Sequence, residues 1–173
     1  LTLGRRVDCR APFQKPYRLL AIGRFARTKG FPELLTAMAR LRDDGFPVRL
    51  TLVGDGNWKR KLVEMRKRLH LEDLVDMPGF VPNDRIRTFM EEHDMLVVPS
   101  VVHTHGDIPQ RDPAALADAI RRMLSDREAA LRMARTGREL VFRMFDTETN
   151  IAALQDLYCQ QYTQWRTTLG PNV

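Results

Sequence analysis

Short runs of consecutive apolar residues alternate along this chain with longer stretches whose apolar positions recur every three or four residues. Leu19-Leu20-Ala21-Ile22 is the first run and stops at Gly23, as a strand buried on both faces should. A helix is predicted over about Pro32–Arg42, because Leu34, Leu35, Met38 and Leu41 share one helical face. Pro32 suits its first turn and Gly45 ends it. Val48–Val53 predicts a second strand halted by Gly54, and Trp58–Leu69 a basic helix with Leu62, Met65 and Leu69 on one side. Leu74–Met77 predicts a third strand ending in Pro78-Gly79. A helix from Asn83 then carries Ile86, Phe89 and Met90, with Asn83 or Asp84 as its cap. Met95–Val98 predicts a fourth strand, closed by Pro99-Ser100. Beyond Asp112 the pattern is helical over Pro113–Leu124, Arg127–Phe145 and about Thr147–Arg166. Residues 1–16, with Pro12 and Pro16 and no apolar period, predict a linker, and 167–173 a tail.

Alternating strand and helix at this pitch predicts an α/β fold with a Rossmann-like parallel sheet flanked by helices on both faces and a helical C-terminal end. Ligands of such sheets bind beyond the carboxyl ends of the strands. The residues that matter are therefore those directly after each apolar run: Gly23 to Gly30, Gly54 to Asn57, Gly79 to Pro82 and Pro99 to Asp107. Arg24 and Lys29 flank the first of these loops. A guanidinium and an ammonium over a helix N-terminus make a diphosphate clamp, and two exposed loop cations are the plainer reading of the same residues.

Composition narrows the setting. The 173 residues allow one ordinary domain, and 43% apolar with 29% charged is a globular balance. No window approaches the roughly 20 apolar residues of a membrane-spanning helix. The opening Leu1-Thr2-Leu3 has neither a secretion-signal core nor an initiator methionine, and is expected to be a cut within a longer gene product. Cys9 and Cys159 match no metal spacing and are expected to be buried thiols in a reducing cytoplasm. The net charge of +6 favours anionic partners, but the cations are scattered beside acids, as on solvated helix faces.

Taken in order, G-R-x-x-x-x-K-G at Gly23–Gly30, V-G-D-G at Val53–Gly56, G-F-V-P at Gly79–Pro82 and V-V-P-S at Val97–Ser100 resemble the donor-binding domain of glycosyltransferase family four. The likeness covers about residues 17–160. It implies the C-terminal half of a retaining GT-B glycosyltransferase of hexosyltransferase type, binding a nucleoside-diphosphate sugar such as a UDP- or GDP-sugar as donor substrate, with no tightly bound cofactor. By the same resemblance Arg24 and Lys29 would hold the donor diphosphate and stabilise its charge as it leaves. Gly23 would allow close backbone approach, and Gly79, Phe80, Val81 and Pro82 would wall the nucleobase pocket. Asp55 and Gly56 would shape the floor of the site. Two plainer alternatives stay open: Asp55 as a turn acid capping the next helix, and Phe80 as ordinary core.

The pattern breaks near Asp107 and Ile108. Family members place a glycine-rich turn, a pair of glutamates and a further strand and helix before a segment like Ile108–Ala117, so roughly 30 or more residues are skipped here. Either a mobile segment is left out of the chain or the protein lacks it. The first is favoured, because losing an interior strand and helix would strip packing from a parallel sheet. In both cases the glutamates have no counterpart in this numbering. His103 and His105 form an H-x-H pair in the same loop. They are expected to be ordinary polar loop residues, with a donor contact from His105 or Gly106 as the alternative, and no metal site is expected.

The resemblance implies a further partner, an N-terminal acceptor domain of the same protein. A cytoplasmic location is expected from the cysteines, with peripheral association at the inner face of the membrane, where the cations meet acidic lipid, expected from the charge. Phe142, Phe145, Leu154, Leu157, Tyr158, Tyr162 and Trp165 would either cross back onto that domain or pack on this sheet. Without its acceptor half the chain would bind nucleotide weakly and transfer nothing. Two other classes compete. A dinucleotide-dependent oxidoreductase fits the alternation but not the first turn, which lacks G-x-G-x-x-G. A basic nucleic-acid-binding module needs cations clustered with stacking aromatics, so nucleic acid is not expected as a partner.

Overall fold

The computed structural model describes residues 14–100, 112–145 and 147–169. Strands β1 (Tyr17–Ile22), β2 (Val48–Val53), β3 (Val75–Gly79) and β4 (Met95–Leu96) form a parallel sheet in the order β3-β2-β1-β4. Helices α1 (Phe31–Asp43), α2 (Lys59–Arg68) and α3 (Asn83–Glu92) make the crossovers, and α4 (Pro113–Ser125) follows the sheet. This sheet and its helices make up one unit, Arg10–Arg127; the long helices beyond belong to another.

Register explains which helices cover which face. Leu19 lies opposite Leu50 and Met95, and Leu50 opposite Val75, so these side chains share one face of the pleat. They join Leu34, Leu35, Met38 and Leu41 of α1, Leu62 of α2, and Ile120 and Leu124 of α4 in a single core. Those four α1 side chains are fully buried, each stabilising the fold by about 1.5–3 kcal/mol. Arg42, near the end of α1, donates to the carbonyls of Leu69 and His70 and so caps the C-terminus of α2. Arg121 of α4 reaches back to the Asp44 carboxylate.

The opposite face carries Leu20, Ile22, Thr51, Val53 and Leu96, and α3 lies over part of it. The stripe expected on α3 is only partly covered: Ile86 and Phe89 are half-buried while Met90 is exposed. Two expectations are corrected here. Neither Asn83 nor Asp84 caps α3; Pro82 occupies the cap position and no side chain bonds the first turn. The fourth strand is Met95–Leu96 rather than Met95–Val98, since its pairing with β1 covers only Leu19 and Leu20. Val97 still donates to the Leu20 carbonyl at 2.8 Å, after which the backbone leaves the ladder. At α4, by contrast, Asp112 Oδ1 accepts from the amides of Ala114 and Ala115 at 2.9 and 3.0 Å, with Pro113 opening the helix.

The second unit holds α5 (Arg127–Phe145) and α6 (Thr147–Leu169). On α6, Ile151, Leu154, Tyr158, Tyr162 and Trp165 recur at three- and four-residue intervals and form one apolar stripe. All five are more than half exposed, and the Tyr162 and Trp165 rings lie 6.1 Å apart. Cys159 is also exposed, which overturns its expected burial: every described side chain of α6 faces solvent, so the helix offers no interior for a thiol. Cys9, His103, His105 and the joint at Asp107 and Ile108 lie outside the described residues.

Candidate functional site

Because the strands are parallel, β1, β2 and β3 deliver their following loops to one edge of the sheet. The first two loops are fastened to each other through backbone. Gly23 N–H donates to the Val53 carbonyl at 3.0 Å, Phe25 N–H to the Asp55 carbonyl at 2.8 Å, and Trp58 N–H to the Phe25 carbonyl at 3.1 Å. The glycines of V-G-D-G exist for this approach. A Cβ on Gly54 would stand 2.0 Å from the Gly23 carbonyl oxygen, and one on Gly56 would stand 2.6 Å from that of Phe25. At both positions φ also lies in the region that favours glycine. The space the sequence reserves there is filled by the neighbouring loop.

Phe25 anchors this loop pair. Its side chain is fully buried and packs edge-on against Phe31 at a centroid distance of 5.6 Å. Sequence reasoning assigned Phe25 no role, although an aromatic residue between two arginines in a loop was the available signal. Arg24, directly before it, is exposed at the rim of a cleft.

That cleft, about 590 Å³, runs from the loops onto the half-covered face of the sheet. Gly23, Arg24, Gly54 and Asp55 form its polar end. Ile22, Val53, Leu96 and Val98 form an apolar floor, and Phe80, Val81, Asn83, Ile86 and Met90 form the wall leading into α3. Of the residues picked out in the sequence, Gly23, Arg24, Asp55, Phe80 and Val81 therefore meet in one cavity. Lys29, Gly79 and Pro82 do not line it. Lys29 ends a 3-10 turn, Arg27–Lys29, and its Cδ lies 4.0 Å from the Cβ position that Gly23 lacks, so its stem runs beside the first loop. The Gly79 carbonyl accepts from Gly54 N–H at 2.8 Å, which ties the third loop to the second. Gly56 contacts loop backbone rather than the cavity. The floor residues Leu96 and Val98 and the wall residue Met90 carry no polar signal, so nothing in the sequence separated them from core.

The electrostatics of the polar end are simple. Neither Arg24 nor Lys29 has a carboxylate partner among the described residues, whereas Arg42, Lys59 and Arg121 all do. Asp55 Oδ2 accepts from Lys59 Nζ at 2.7 Å and Oδ1 from Gly56 N–H at 2.7 Å. The Lys59 hydrogen bond, with that of Gly56, holds the Asp55 carboxyl below its ordinary range. Asp55 does not cap α2 as the plainer reading expected; Trp58 holds that cap position without a side-chain bond. Phe80 is 73% exposed and so is not core.

These features define a Rossmann-like α/β unit with a cleft at its carboxyl edge whose polar end carries Arg24 and Asp55. The family model of Glycosyl transferases group 1 matches residues 10–106, more than half of the chain. The chain belongs to that family. It is 30% identical over 105 residues to the Escherichia coli glycosyltransferase WcaL assigned to colanic acid biosynthesis, a match covering 61% of this chain and 26% of WcaL. The fold is shared with sucrose-phosphate synthase from Thermosynechococcus elongatus, at a TM-score of 0.72 and 24% identity over 89% of this chain and 47% of that one. It is also shared with the C-terminal domain of a glycosyl transferase group 1 family protein, LpcC, from Francisella tularensis. There the TM-score is 0.62 and the identity 17%, covering 75% of this chain and 86% of that domain. The chain thus spans about a quarter of the curated relative and half of the synthase.

Proposed function

We propose that this chain is the donor-binding part of a retaining GT-B glycosyltransferase that takes a nucleoside-diphosphate sugar. One observation carries the reading. An exposed arginine without a carboxylate partner among the described residues stands at the polar end of an otherwise apolar cleft, on the edge of the sheet where such folds take ligands. Arg24 reaches the diphosphate and Lys29, beside Gly23, adds charge to the same end. The negative charge that develops on the departing diphosphate meets these cations. The nucleobase lies against Phe80 and Val81, with Gly79 and Pro82 setting the turn that presents them. Asp55, at the polar end, is held by its ion pair with Lys59.

Acceptor recognition and exclusion of water belong to a second, N-terminal domain of the whole protein. The exposed stripe of α6 is the surface offered to that domain. A cytoplasmic setting at the inner face of a membrane fits the net charge of +6. Calorimetric titration with UDP, GDP, ADP and their sugars tests the reading. Binding is expected for at least one diphosphate, and a loss of roughly tenfold or more in Arg24→Ala. Equal affinity in the two proteins removes Arg24 from the site, and no binding of any of them by the unaltered chain defeats the proposal.

A further inference from the structure

His93 closes α3 against the sheet. Its Nδ1 lies 2.6 Å from the Phe89 carbonyl oxygen, one turn back in the helix, and its Nε2 lies 2.8 Å from Thr51 Oγ1 on β2. The imidazole also stacks on the Phe89 ring, with centroids 6.2 Å apart and planes at 11°. A carbonyl oxygen only accepts, so Nδ1 carries the proton. In the neutral ring Nε2 is then the acceptor, and the Thr51 hydroxyl donates to it. Directly after His93, Asp94 is fixed to β1, its N–H donating to the Arg18 carbonyl and its Oδ2 accepting from Arg18 N–H, both at 2.8 Å. Among the described residues the His93–Thr51 bond is the side-chain hydrogen bond that ties the last turn of α3 to β2. None of the residues of α3 is buried, so beyond partial apolar contact the helix relies on the bonds at this end, Asp94 to β1 and His93 to β2. Three residues of α3, Asn83, Ile86 and Met90, wall the cleft.

We propose that His93 is a positioning residue for this cleft. By bridging the end of α3 to Thr51 it sets the height of the apolar wall above the floor made by Ile22, Val53 and Leu96. The diphosphate end, held on backbone by the first two loops, does not depend on this bridge. Its consequence for nucleotide affinity rests on the donor reading; the bridge itself does not.

The test uses the 173-residue chain with His93→Ala and, as a near-isosteric alternative that removes only the hydroxyl, Thr51→Val. Amide hydrogen exchange over residues 83–92 is expected to quicken about three- to tenfold in both variants, the worth of one side-chain hydrogen bond, while β1 and β2 keep their protection. Long-range proton–nitrogen spectra of the unaltered chain are expected to show His93 protonated on Nδ1. Affinity for a nucleoside diphosphate is expected to fall by a similar factor and affinity for inorganic pyrophosphate to stay unchanged. Unaltered exchange over 83–92 in Thr51→Val, or a ring protonated only on Nε2, overturns the bridge. Equal losses of pyrophosphate and nucleotide overturn its role as a wall-positioning residue. If the unaltered chain binds neither ligand, the donor reading fails and exchange alone decides the bridge.

Discussion

Gly54 and Gly23, thirty-one positions apart in sequence, touch so closely that a methyl group on Gly54 would sit 2.0 Å from the Gly23 carbonyl oxygen. Substitution Gly54→Ala therefore forces the two loops apart or strains a backbone with φ of +146°. Strain alone is expected to cost about 1–3 kcal/mol, read as a lower midpoint in urea unfolding. Gly137 is the internal control. It lies within α5 with nothing near its Cβ position, so Gly137→Ala is expected to stabilise that helix by about 0.5–1 kcal/mol.

The two cations of the first loop should separate. Arg24 lines the cleft and Lys29 runs beside Gly23 without lining it. Arg24→Ala is expected to weaken nucleoside-diphosphate binding roughly ten- to hundredfold, the range of a lost charge-assisted contact, and Lys29→Ala by less. Arg24→Lys keeps the charge but loses the planar fork, so its affinity should lie between those of Arg24→Ala and the unaltered chain. Isothermal titration at fixed salt ranks the four proteins, and a larger loss in Lys29→Ala reverses the assignment.

Asp55 supplies a pH signature with a definite sign. Its folded-state pKa is depressed, chiefly by the Lys59 hydrogen bond. Its contribution is thus fully present above the ordinary carboxylate value and is lost as pH falls through the lowered one. The pair is solvent-exposed, so the effect on global stability should be small. Carboxyl carbon shifts followed by nuclear magnetic resonance are the direct measurement. In Lys59→Met the Asp55 titration is expected to move upward, and an unmoved midpoint would show that Gly56 N–H alone sets it.

The stripe on α6 predicts self-association of the chain on its own. Leu154, Tyr158 and Trp165 are each more than half exposed, and contiguous apolar surface of this kind is rarely left in water. Sedimentation at increasing concentration is expected to show reversible association, reduced in Leu154→Ser with Trp165→Ser. A monomer at all concentrations would mean that the stripe is too narrow to pair without a specific partner.

Much of the fold was legible because each strand carries an apolar run or an apolar alternation, as in Val48–Val53, ended by glycine or proline, and each crossover shows one apolar face. The polar end of the site was legible for a related reason: chain direction in a parallel sheet brings Gly23, Arg24 and Asp55 to one edge. What escaped depended on what covers what. Leu96, Val98 and Met90 look like core in sequence, and only the partial coverage by α3 makes them cleft. Phe25, a loop residue in sequence, proved to be core. His93 gave no sign of its partner, since Thr51 lies forty-two positions earlier. The cap of α3 was misjudged because Pro82 occupies the cap position ahead of the two polar residues that could have served.

The burial of Phe25 has a thermodynamic consequence for its neighbour. With that ring locked beneath the loop and both flanking backbone groups bonded to the second loop, the main chain carrying Arg24 is already ordered before any ligand arrives. If Arg24 grips a diphosphate as proposed, the entropy lost when the guanidinium takes hold is confined to rotation about side-chain bonds, about 0.5–1.5 kcal/mol, rather than the settling of a whole segment. A mobile grip would forfeit more of its contact energy at that step.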